Sequence, residues 1–100
     1  MPSGKASYEL SGAAIEDLAD IAAYTIDRFG ILQARRYRDA LKRHFTQLAQ
    51  HPNIGRDYAH IRSGLRRYES QSHSIYYMQT ASGVLIVRVL HARRDPARHL

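Results

Sequence analysis

One hundred residues is a one-domain length, enough to bury about two thirds of the extended chain's surface around a modest core. Without cysteine, no disulfide framework and no thiolate metal site can form, and even the apolar run Val84 to Val87 is far too short to span a bilayer. The formal net charge of +6 sits in the second half: the first fifty residues carry seven basic and six acidic side chains, the second fifty eight arginines against three acids.

Met1 to Lys5 shows no secretory signal, so a cytoplasmic protein is expected. A basic surface attracts nucleic acid, anionic membrane or acidic protein. Arginine in place of lysine favours planar, two-point pairing with carboxylate or phosphate.

Ala6, Tyr8 and Leu10 alternate with polar residues and predict a short first strand. Ser11 can cap a first helix, whose expected apolar stripe is Ile15, Leu18, Ala22, Thr25 or Ile26, and Phe29. Gly30 should end it. A second helix begins at Ile31 or Leu32, with a stripe of Ala34, Tyr37, Leu41, Phe45 and Leu48, and Pro52 limits it. So short a connection folds the helices into a hairpin. The first helix is acidic (Glu16, Asp17, Asp20, Asp27) and the second basic, so their opposite charges should assist pairing.

Asn53 to Gly64 reads as a connector that Tyr58 and Ile61 could pin to the core. Three strands follow, Leu65–Glu69, His73–Thr80 and Val84–His91, with a tight turn at Ala81 to Gly83. In strict alternation Leu85, Val87 and Val89 share one face of the last strand, and Ile86, Arg88 and Leu90 the other. Apolar on both faces except at Arg88, this strand should be central. Residues 1–100 thus form a single α+β domain of order β-α-α-β-β-β. The hairpin packs on one face of a mostly antiparallel four-stranded sheet. The other face is left for polar residues, the tail from Arg93 to Leu100, or a partner.

The six histidines contain no H-E-x-x-H and no paired spacing that builds a metal site, so neither metal nor cofactor is expected. No G-x-S-x-G and no phosphate-binding glycine loop is present. What remains is an arginine constellation: Arg56, Arg62, Arg66, Arg67, Arg88, Arg93 and Arg94. Arg66 and Arg67, adjacent on a strand, point to opposite faces. Arg88, among valines and leucines, needs a specific partner: Asp57, Asp95 or a ligand. The favoured reading of Asp95 is that it ties the tail to Arg88. His91, Arg93 and Arg94 leave the same strand end, and His73, His91 and His99 have the intrinsic pKa for proton transfer. Tyr68, Tyr76 and Tyr77 suit base stacking and core filling equally.

Taken in order, several segments resemble the ParE branch of the ParE/RelE superfamily of bacterial toxins. They are Tyr8-Glu9-Leu10-Ser11, Asp17-Leu18-Ala19-Asp20-Ile21, Tyr24-Thr25, Phe29-Gly30, Leu48 to Pro52, Gly55-Arg56, Ile61 to Arg67, His73 with Ile75 to Tyr77, Ile86 to His91, and Arg93 to Pro96. The resemblance spans residues 8–100. It implies the toxin of a type II toxin–antitoxin system, a DNA gyrase inhibitor neutralised by a ParD-like antitoxin. Operator DNA would be met only through the antitoxin complex, which could form higher-order heteromers.

The alternative the resemblance leaves open is a RelE-like ribosome-dependent mRNA endoribonuclease. Such enzymes pair basic sheet residues with an acid or base near the C-terminus; here these would be Arg66, Arg67, Arg88 and His91, with His99 a further candidate. The usual tail tyrosine is missing, so a binding protein without catalytic residues is favoured. Target contacts are then expected from Arg88, His91, Arg93 and Arg94, and antitoxin contacts from Arg35, Arg38, Lys42 and Arg67.

Overall fold

The computed structural model describes residues 6–100; the expectation about a secretory signal at Met1–Lys5 concerns residues outside them. Strand β1 (Ser7–Leu10) runs into helix α1 (Gly12–Phe29) through Ser11. The Ala14 N–H donates to Ser11 Oγ at 3.0 Å, and the hydroxyl donates to the Val87 carbonyl at 2.7 Å. One serine therefore caps the helix and fastens it to the sheet. Gly30 alone separates α1 from α2 (Ile31–Gln50), at φ 87°, a backbone setting that side-chain-bearing residues rarely adopt. Its N–H closes α1 on the Ile26 carbonyl and its own carbonyl opens α2 by accepting from Ala34. The hairpin turns on a single residue.

The buried stripe of α2 follows the sequence: Ala34, Leu41, Phe45 and Leu48 are buried and Tyr37 is half-buried. That of α1 is rotated from the expected one. Ala14 and Thr25 are buried, with Leu18 and Ile21 beside them, while Ile15, Ile26 and Phe29 are 55%, 46% and 68% exposed. Small Ala14 lets the helix approach the sheet closely, and Asp17 sets the rotation by gripping the last strand. Nor do opposite charges pair the helices: among the described residues no ion pair joins them, and Asp17 turns to Arg88.

The sheet has five strands where four were expected, in the order β1-β5-β4-β3-β2. The additional strand is β2 (Arg56–Asp57), inside the segment read as a connector, pairing Arg56 with Arg67 and Asp57 with Arg66. Then come β3 (Leu65–Ser70), β4 (His73–Gln79) and β5 (Gly83–His91). As the apolar pattern requires, β5 is central, parallel to β1 and antiparallel to β4. At Gly83 any Cβ would lie 1.8 Å from the Ser7 carbonyl oxygen, so only glycine lets β1 start alongside.

Strict alternation fails in β5. Tyr76 faces Arg88 but Tyr77 faces Ile86, so Val87 is an extra residue, a β-bulge. Beyond it the faces exchange. Val84, Ile86 and Val89 join Ile75 and Tyr77 under the helices, whereas Leu85, Val87 and Leu90 join Tyr76, Met78 and Leu65 on the other side. That second face is not bare: Tyr58 and Ile61 from the connector and Leu100 from the tail pack on it. The tail includes a short 3-10 helix, Pro96–Arg98, capped by Asp95, whose Oδ1 accepts from the Ala97 N–H at 3.0 Å. Asp95 is therefore a local cap and not the partner of Arg88.

Candidate functional site

Arg88 follows the bulge, beyond the point where β1 ends opposite Ile86. There α1 takes over the strand edge. Asp17 receives Arg88 Nε and Nη2 at 2.8 Å each and the Val89 N–H at 3.0 Å, while Arg88 Nη1 donates to the His99 carbonyl at 2.8 Å. The partner of Arg88 is thus Asp17, neither Asp57 nor Asp95, and this two-point bond raises the guanidinium pKa further against the opposing effect of burial. Helix, strand and tail meet on one side chain.

The other arginines of the sheet are also engaged within the chain. Arg66 lies on the helix-side face of β3 and donates to the Gly55 carbonyl at 2.7 Å, tying down the loop after α2. Arg67 lies on the opposite face, donating to Ser74 Oγ at 3.0 Å and Tyr58 Oη at 2.6 Å, with its guanidinium over the Tyr58 and Tyr76 rings. Arg67 and Arg88 flank Tyr76 in one cross-strand row, but their guanidinium groups turn apart. The structure does not gather Arg66, Arg67, Arg88 and His91 around one point.

What the fold does assemble at the end of β5 is a cleft of about 1070 Å³ between the Gly30 end of the hairpin and the strand ends. His91, Arg93 and Arg94 line it, as the sequence suggested, beside three groups it did not single out together: Tyr37 of α2, Ser72 just before β4, and His73 at its start. His73 sits directly across from His91, with ring centroids 5.7 Å apart, edge to face. His73 Nδ1 is hydrogen-bonded to Tyr37 Oη, and His91 Nδ1 accepts the Arg93 N–H at 3.2 Å. Burial, and then the neighbouring His91, lower the His73 pKa, with Asp17 opposing weakly. The available signal was cross-strand register, which places the first residue of one hairpin strand opposite the last of the next.

A second, smaller hollow of about 180 Å³ opens between α1 and α2 over β1. Tyr8, Leu10, Leu18, Ile21 and Phe45 make it apolar, and Arg38 and Lys42 also line it. Arg35 is exposed on the same helix, and Arg38 meets only its neighbour Asp39, at 3.2 Å. Arg67 is separated from them by the sheet. The outer surface of the hairpin also carries exposed Ile15, Tyr24, Ile26, Phe29, Ile31 and Leu32, residues partly assigned to the core from sequence. The hollow and the cleft adjoin, with Ile21, Thr25 and Tyr37 lining both. Among the described residues no three potential metal ligands cluster, and no helix is long and apolar enough to cross a membrane.

Fold and site together define a small basic α+β domain that presents an apolar, cation-edged groove. Residues 8–96 match the family described as ParE toxin of type II toxin-antitoxin system, parDE, and the chain belongs to this family. It is 40% identical over 94 residues to the toxin ParE1 of Mycobacterium tuberculosis and 38% identical over 93 to the toxin ParE1 of Caulobacter vibrioides, covering 93% of this chain and 96% of each relative. The Escherichia coli toxin ParE is 30% identical over 90 residues, 89% of this chain and 87% of its own. A chain of the chromosomal ParDE system from P. aeruginosa shares the fold at a TM-score of 0.72 and 20% identity, with 89% of this chain and 98% of that one aligned. The protein is the toxin half of a type II toxin–antitoxin pair.

Proposed function

We propose that this toxin arrests growth by binding DNA gyrase in the cytoplasm, and that a ParD-like antitoxin neutralises it by laying an acidic, amphipathic segment into the hairpin groove. The observation that carries the antitoxin half is the hollow between α1 and α2, apolar in lining with Arg38 and Lys42 on it. Apolar anchors bury there and supply most of the affinity, while the cations, with exposed Arg35 nearby, orient an acidic chain and speed its arrival. Arg67 is left out of this surface because it is bonded on the far face of the sheet.

The preference for gyrase over RNA cleavage is supported by the engagement of Arg66, Arg67 and Arg88 with groups of the chain itself. His91, Arg93 and Arg94 remain exposed for a target. Purified protein should inhibit supercoiling by gyrase and leave ribosome-bound mRNA intact. Codon-specific mRNA cleavage, abolished by changing Arg67 or His91, would instead establish the nuclease. Co-expression with the neighbouring reading frame should give a tight complex whose association slows with salt far more than its dissociation accelerates.

A further inference from the structure

We infer that the cleft at the end of β5 is a carboxylate-binding site, filled by an acidic side chain of the partner segment that occupies the adjoining hairpin groove, and that His73 and His91 couple its occupancy to proton uptake. This rests on the antitoxin reading above and adds to it a second contact and a form of regulation.

The backbone N–H of Arg93 points at His91 Nδ1, so the proton of the neutral ring must sit on Nε2. Tyr37 Oη is hydrogen-bonded to His73 Nδ1, and with the more acidic phenol as donor the neutral His73 ring also carries its proton on Nε2. Each ring therefore keeps an Nε2–H to offer a ligand. Around them, Arg93 and Arg94 form no ion pair among the described residues. The opposing charges are few. Asp17 is satisfied by Arg88 and the Val89 N–H, leaving Asp20 of α1 as the other acid lining the cleft. Two imidazole donors and two unengaged guanidinium groups against one free carboxylate select an anion over a cation.

Adjacency selects the kind of anion. The cleft and the apolar hollow share Ile21, Thr25 and Tyr37, so one extended chain can place an apolar side chain in the hollow and an acidic one in the cleft. A nucleic acid would use the basic end and leave the apolar part empty.

Proton coupling follows from how the rings are held. The groups facing them are Asp17 and Asp20 from α1, Tyr37 from α2, Ser72 before β4, Arg88 on β5, and Arg93 and Arg94 from the tail. His73 faces His91 edge to face and is partly buried, and in the free protein it titrates below its usual 6.5. A carboxylate beside the rings offsets that lowering. The bound state then holds more protons than the free one, so affinity rises as pH falls through the bound pKa and levels off below the free one.

The test uses the full chain with the antitoxin encoded beside it. Calorimetry between about pH 6 and pH 8, in two buffers of different ionisation enthalpy, should show uptake of up to one proton and an affinity gain of up to about tenfold per pH unit. The His73→Gln, His91→Gln pair keeps an N–H donor on each side chain without a titratable ring. It should bind with the pH dependence flattened. Imidazole NMR titrations of the unaltered protein, free and in complex, decide the matter even if that variant fails to fold: at least one of the two pKa values must rise on binding. A tight complex with no proton uptake and unmoved imidazoles overturns the inference and leaves the antitoxin reading intact, whereas absence of any complex removes both. Imidazole shifts produced by a short oligonucleotide but not by the antitoxin would overturn it in favour of a nucleic-acid site.

Discussion

The arginines of the sheet and those of its margins look alike in sequence and occupy opposite roles in the fold. Arg66, Arg67 and Arg88 spend their donors on a loop carbonyl, a tyrosine and serine pair, and an aspartate of α1. Arg35, Arg93 and Arg94 are exposed, and Arg38 has only its neighbour. A strongly basic composition thus divides into a part bonded within the fold of a small domain and a part left exposed. The first should be detected by denaturation and the second by toxicity and binding.

The sharpest test is at Arg88. Replacement by alanine leaves Asp17, 11% exposed, without its cation, and releases α1 and the tail together. We expect a loss of about 3 kcal/mol or more in urea denaturation. A loss below about 1 kcal/mol would place Arg88 with the marginal arginines. Next is Tyr77→Phe. The buried phenol donates to the Pro52 carbonyl and accepts the Gly55 N–H, both at 2.8 Å, so its removal should cost about 1–3 kcal/mol in thermal or urea unfolding. Arg67→Met, which removes two hydrogen bonds and a place over two rings, should cost about 1–2 kcal/mol by the same measurement.

A smaller effect is expected from pH. His44 and His73 both have folded pKa values below the usual 6.5, His44 through burial and then Arg43, His73 through burial and then His91. The unfolded chain therefore binds protons first on acidification. Their contribution is complete above about pH 6.5 and declines as pH falls toward the folded values. Urea midpoints near pH 7.5 and pH 5.5 should show that decline, and His44→Gln with His73→Gln should reduce it. The smallest effect on stability belongs to Arg93→Ala with Arg94→Ala, within about 0.5 kcal/mol of the parent. The same variant should lose toxicity on expression without antitoxin. A folded and fully toxic double variant would move the target surface away from the tail.

Local patterns were legible because short-range chemistry decides them. Ser11, Gly30 and Pro52 set the helix limits through capping, backbone freedom and the proline constraint, and the apolar content of Val84 to Leu90 marked a central strand. The ordered segments between Tyr8 and Pro96 carried the family. The basic end formed by His91, Arg93 and Arg94 was also visible, because adjacent residues need no fold to be neighbours. Tertiary structure alone decided what depends on distant contacts. One extra residue at Val87 exchanged the faces of β5, and no periodicity shows where a bulge falls. The rotation of α1, and with it the exposure of Ile15, Ile26 and Phe29, followed from the grip of Asp17 on Arg88 across 71 positions. Tyr37, His73 and His91 met because strand register and helix packing brought three separate elements to one cleft. Composition and spacing specify which groups a chain owns. Whether an arginine is bonded inside or left free outside is settled only when every element competes for the same partners.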